Sequence, residues 1–198
     1  MREIATQKRL WTAASAALIA TPAFAAPIEL TAQGASATGS TFELVLTYES
    51  STMPVDPDAD GLYQYPAVLS ARVWIDGDLR FNVADPGELG LFPYISIANN
   101  TPLAGGPVSD LFGTILSESD TNHALSLTLR DFDATAFDDH ALPTALDLMD
   151  FEKSLFDWVP FGGPPTQYSI DFLQTRIVPA PGSAVCAVGL LLLTRRRR

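Results

Sequence analysis

Gly39-Ser40-Thr41-Phe42-Glu43-Leu44-Val45-Leu46-Thr47-Tyr48 is the stretch from which the fold class is read. Phe42, Leu44, Leu46 and Tyr48 recur with period two, and Glu43, Val45 and Thr47 fall between them. Side chains alternate across a strand, so this pattern predicts a strand with one face in a core and the other toward water. Working outward, residues 28–32 read as a shorter strand, and the small residues of 34–38 as the turn between the two. Residues 65–76 carry Val68, Val73, Trp74 and Ile75 and read as one further strand. Asp76-Gly77 is a two-residue hairpin signal, and residues 78–83 return as the partner strand.

The same texture continues to the end of the domain. Strands are expected over 94–98, 111–117, 123–130 and 167–178, and a strand or a short helix over 151–158. Turn signals separate them at Asp85-Pro86-Gly87, in 99–107, at 119–122 and at Gly162-Gly163-Pro164-Pro165. No stretch has the 3.6-residue period of a long amphipathic helix. Many short strands spaced by turns predict an all-β antiparallel fold, and a two-sheet β-sandwich of jelly-roll type fits best.

The ends of the chain have a different character. Arg2, Lys8 and Arg9 precede an apolar run over 10–19, and Ala23 and Ala25 supply the small residues of a cleavage site. That order predicts a secretory signal peptide over residues 1–25, cut between Ala25 and Ala26. At the other end, Val178-Pro179-Ala180-Pro181-Gly182 leads into an apolar run that closes on Arg195, Arg196, Arg197 and Arg198. Apolar residues followed by a cationic cluster are a membrane-stop pattern. Residues 183–193 reach only about 16 Å as helix, against about 30 Å of hydrocarbon, so transient rather than permanent insertion in the inner membrane is expected. Three segments follow: signal peptide 1–25, an acidic domain 26–176, and a C-terminal signal with a short hydrophobic helix over 177–198.

The tail resembles the PEP-CTERM class of bacterial sorting signals in its Val-Pro-x-Pro element, short hydrophobic helix and terminal arginines. That pattern usually has Glu between the prolines, where this chain has Ala180. The landmarks Thr38-Gly39-Ser40-Thr41-Phe42, Tyr48-Glu49-Ser50 and the segment 142–148 look like the cargo domains often found ahead of such tails. The resemblance implies export, processing by an exosortase-type transpeptidase after signal peptidase, and display at the cell surface or release into extracellular polysaccharide. It implies no catalytic activity for the cargo.

Residues 26–176 hold five basic and twenty-two acidic side chains, a formal charge of −17. Such a surface repels nucleic acid and anionic lipid and attracts divalent cations. The single cysteine, Cys186, lies in the tail, so the domain has no disulfide. Asp56, Asp58 and Asp60 with Gly61 match the opening of a Ca²⁺ loop, in which alternate carboxylates converge on a hard cation. The bidentate Glu that should follow is Ala67, so an acidic loop without metal is the main expectation and a weak Ca²⁺ site the competing one. Asp131, Asp133, Asp138, Asp139 and His140 form a second acidic group, read as a solvated loop, and His123 as a surface residue. No nucleophile or zinc motif is visible, so no catalytic residue is assigned. Tyr63, Tyr65, Trp74, Tyr94 and Trp158 are candidates for a sugar-stacking platform, Tyr63 and Tyr65 being the two expected at the surface. The leading expectation is an exported non-enzymatic surface or matrix protein. A lectin-like carbohydrate- or Ca²⁺-binding module is the alternative, and an exported hydrolase comes third.

Overall fold

The computed structural model describes residues 26–55, 61–90, 93–103, 106–118 and 123–179. The signal peptide, the Asp56, Asp58 and Asp60 loop, and the tail from Ala180 through Arg198 lie outside these residues. No helix among the described residues is long and apolar enough to cross a membrane.

Ten strands form the structure: β1 Ile28–Ser36, β2 Thr41–Tyr48, β3 Tyr63–Tyr65, β4 Val68–Ile75, β5 Asp78–Val83, β6 Tyr94–Pro102, β7 Val108–Ser117, β8 Ala124–Asp131, β9 Lys153–Val159 and β10 Thr166–Ile177. All the pairings are antiparallel. In β2 the alternation is realised without a break: Phe42, Leu44, Leu46 and Tyr48 are buried, and the residues between them are not. Of residues 151–158, open between strand and helix in the sequence, 153–158 are strand, within β9. There Phe156 and Trp158 alternate inward with Leu155 and Asp157.

The expected two sheets do not form. The strands make one continuous curled sheet in the order β3-β6-β7-β8-β9-β10-β1-β2-β4-β5. The cause is β10, which belongs to both halves. Its first residues, Thr166–Ser169, pair with β9, and Tyr168–Ile177 pair with β1. Between these, Asp171 is an extra residue opposite the Gln33/Gly34 step, and a bulge of this kind bends a strand and increases its twist. The sheet therefore turns a corner at β10 instead of ending there. Gly34 makes the corner close: a Cβ on it would stand 1.8 Å from the Ser169 carbonyl oxygen.

A second departure is at Pro66. The single strand expected over 65–76 is two, because proline has no N–H for the ladder. β3 ends at Tyr65 and pairs with β6 on one edge of the sheet, while β4 begins at Val68 and pairs with β2 near the other edge. Residues 66 and 67 thus bridge the opening of the half-barrel, where the Ala67 carbonyl accepts from the Glu49 amide at 2.9 Å. A second stitch joins the flanks at the other end, where Leu89 bridges Glu118 and the Asn82 amide donates to Glu118 Oε1 at 2.9 Å.

Curling brings distant strands face to face. Phe42 on β2 stacks on Phe156 on β9 with centroids 4.3 Å apart. Tyr48 on β2 meets Phe112 on β7 at 6.1 Å, and Phe81 on β5 meets Trp158 on β9 edge-on at 6.4 Å. Aromatic pairs at such spacings add about 0.5–1.5 kcal/mol beyond their area burial. The core thus fills the space between β10-β1-β2-β4-β5 and β3-β6-β7-β8-β9.

Candidate functional site

The segment between β8 and β9, residues 132–152, covers one end of the core with Leu142, Leu146 and Phe151. Two buried tyrosines hold it from below. Tyr48 donates its hydroxyl to the Pro143 carbonyl at 2.6 Å, and Tyr65 donates to the His140 carbonyl. Burial raises both phenol pKa values, and for Tyr65 the neighbouring Tyr63 and Asp139 add to the rise. Tyr65 is therefore a core residue and not the exposed platform expected of it. Tyr63 is half-buried under the His140 ring, with centroids 4.1 Å apart. Trp158 is buried, and Trp74, half-buried, carries the Arg72 guanidinium 5.9 Å from its ring centre.

The second acidic group divides. Asp131 is only 2% exposed and accepts four hydrogen bonds: Asp133 N at 2.8 Å, Thr135 N at 2.6 Å, Thr135 Oγ1 at 3.2 Å and Ala136 N at 2.8 Å. Burial pushes its pKa up, but the amides of Thr135, Asp133 and Ala136 outweigh this and hold the carboxyl below its usual value. Asp110, fully buried, sits directly across the ladder from Asp131 and accepts from Asn100 N at 2.7 Å and Phe137 N at 2.8 Å. Like charges facing each other across strands are destabilising. The convergent backbone amides offset that cost and tie the 132–137 turn to the sheet. Asp139 accepts from the Ala141 amide at 2.8 Å, at the surface. Asp131 is thus a structural anchor rather than a solvated carboxylate, and Asp110 is a partner that the sequence reading did not single out. The strand expected from sequence began at residue 111 and left Asp110 outside it, whereas β7 begins at Val108 and takes it in. Among the described residues no three His, Cys, Asp or Glu side chains are placed to hold a metal ion.

His123 also differs from expectation. Its side chain is 29% exposed, its ring lies 5.2 Å from that of Trp158, and Nδ1 stands 3.7 Å from Glu118 Oε2. It lies at the mouth of a shallow cleft with Arg80, Ser40, Thr166 and Tyr168. Arg80 there is paired with Asp78 at 2.9 Å.

A concave patch of the sheet face turned away from the core lies on β3, β6, β7 and β8. Register builds it. Gln64 pairs with Ser96, Ser96 with Gly113 and Gly113 with Thr128, which sets one row across four strands. The next row is Tyr94, Ile115 and Ser126. The result is a groove of about 390 Å³ with Leu62, Leu111, Tyr94 and Ile115 around a floor of Gln64, Ser96, Gly113 and Thr128. Among the described residues, no charged side chain lines it. Of the five aromatics proposed from sequence as a sugar platform, only Tyr94 lines it.

Comparisons with family models, with curated protein sequences and with solved structures return no match.

Proposed function

We propose that this chain is an exported, non-enzymatic cell-surface or extracellular-matrix protein, sorted and processed through its PEP-CTERM-like tail. One observation carries the reading. The Val178 amide donates to the Pro27 carbonyl at 2.8 Å, immediately beyond the last β1–β10 pair, Ile28 with Ile177. The two outermost residues of the folded unit are therefore neighbours. One directly follows the expected cleavage site at Ala25 and Ala26, and the other opens the Val178-Pro179-Ala180-Pro181-Gly182 element. Cutting at both junctions would release a domain that keeps all ten described strands. Signal peptidase and an exosortase-type transpeptidase are the processing partners in this reading, with transient insertion of the tail in the inner membrane and extracellular polysaccharide as the surrounding matrix. Nucleic acid is no partner of so acidic a domain. The non-enzymatic part is supported by Asp110 and Asp131, whose carboxylates are taken up by backbone amides.

Mass spectrometry of protein purified from the cell surface or medium tests the proposal. We expect an N-terminus at Ala26 and no peptide containing Arg195–Arg198. Intact C-terminal peptides in that fraction would refute the sorting reading. A lectin-like module is the second reading, favoured by the uncharged groove.

A further inference from the structure

Gly113 is a glycine that the fold does not require. It lies in the middle of β7, in unbroken register with Ser96 on one side and Thr128 on the other. Its φ is not positive. A Cβ added to it would meet nothing nearer than the Leu127 carbonyl oxygen at 3.4 Å, an ordinary contact. Glycine inside a strand weakens it, through backbone entropy and the missing side chain. Gly34 is the contrast, since there the fold leaves no room for a Cβ. At Gly113 the missing side chain instead leaves the deep point of the groove open.

The floor also keeps its polar groups available. Among the described residues, the side chains of Gln64, Ser96 and Thr128 make no hydrogen bond. Ser126, on the next row, is held by Asp157 Oδ2 at 3.2 Å. Gln64 offers an amide donor and acceptor, and the two hydroxyls each donate and accept. At about 4.8 Å per strand, the row from Gln64 to Thr128 spans about 14 Å. Beside it stand the apolar surfaces of Leu111 and Ile115 and the Tyr94 ring, with Ile115 63% exposed.

We infer that this groove binds a neutral polyhydroxylated ligand, a short stretch of uncharged sugar rings laid across β3, β6, β7 and β8. Sugar hydroxyls pair with Gln64, Ser96 and Thr128, and the C–H faces of the rings pack on Tyr94, Leu111 and Ile115. Charge decides the class. A charged ligand would lose hydration against a lining whose described residues supply no counter-charge, which is costly. An anionic one would in addition be repelled by a domain of formal charge −17. The inference goes beyond the proposed export only in assigning a ligand, and binding in vitro does not depend on how the tail is processed.

The test uses full-length protein on an array of neutral and acidic glycans, followed by calorimetry with the best neutral oligosaccharide and its constituent monosaccharide. We expect neutral oligosaccharides to bind and acidic ones not to, with at least tenfold weaker binding of the monosaccharide, which fills only part of the row. Gly113→Val should fill the deep point and reduce affinity at least tenfold. Its melting temperature should stay unchanged or rise, because a β-branched residue suits a strand. Gln64→Ala, which adds no bulk, should weaken binding with the fold intact. Absence of binding on the array, preference for acidic glycans, or undiminished binding by both variants would overturn the inference. So would concentration-dependent dimerisation abolished by Gly113→Val, which would make a second copy the occupant. Export can fail while the groove binds, and the groove can fail while export stands, so the two proposals are separable.

Discussion

Gly34→Ala probes the corner that makes one sheet out of two layers. The added methyl would stand 1.8 Å from the Ser169 carbonyl oxygen and 3.0 Å from a ring carbon of Phe42. The backbone atoms must separate by at least about 1.2 Å to reach even the shortest real contact. Ser169 cannot yield freely, because it pairs with Ala35 on one side and Leu155 on the other. Overpacking of this kind costs typically about 1–3 kcal/mol, and backbone on both sides of the contact puts this site at the upper end. Loss of unfolded-state entropy returns about 0.4–1 kcal/mol on replacing glycine by alanine. The net expectation is a destabilisation of about 2–3 kcal/mol. For a domain of this size that is about 5–10 °C in Tm, or a fall of about 1 M in the urea midpoint. Gly113→Ala is the internal control, expected to be neutral or stabilising by up to about 1 kcal/mol. If Gly34→Ala stays within about 0.5 kcal/mol of the parent chain, the close approach of β1 and β10 is not what sets the corner.

Two further predictions concern the segment over the core. Asp131→Asn puts an amide where Oδ2 now accepts from Thr135 N, Thr135 Oγ1 and Ala136 N, and should cost at least about 2 kcal/mol by urea denaturation. The folded pKa of Asp131 lies below its ordinary value of about 3.9, so its contribution is present above that pH and is lost as acidification passes through the folded value; the Asn variant should lose less stability than the parent below pH ~4, and equal acid sensitivity would count against Asp131 as the anchor. Tyr48→Phe leaves the Pro143 carbonyl without its donor and should cost about 1–2 kcal/mol. Because burial raises the Tyr48 pKa, its contribution is full below the unfolded value of about 10 and disappears as pH rises through the folded value; a melting profile that falls as steeply above pH ~10 in the variant as in the parent would contradict this.

Several features were legible in the chain itself because they depend on neighbours in sequence. Period two along the chain is enough to mark the buried faces of β2, Phe42 to Tyr48, and of β8, Leu125 to Leu129. The Asp76-Gly77 turn was equally local. Both residues have positive φ, 53° and 84°, as a two-residue hairpin between twisted strands requires. Charge and the absence of disulfides in the domain are counts, and need no geometry.

The rest depends on residues far apart in the chain. Whether ten strands form two sheets or one turns on β10 bending at Asp171 while Gly34 lets Ser169 approach, a contact between positions 135 residues apart. Likewise Asp110 and Asp131 look like separate surface charges until antiparallel pairing sets them side by side and the 132–137 turn folds its amides onto both. Gly113 reads in sequence as a weak point in a strand. Only register, which places it between Ser96 and Thr128 with Gln64 one strand further on, makes it the floor of a groove. Periodicity is a property of one strand and survives in one dimension. Sheet closure, buried charge and concavity belong to pairs of strands, and a chain acquires them only when non-local pairing chooses among alternatives that local pattern leaves equal.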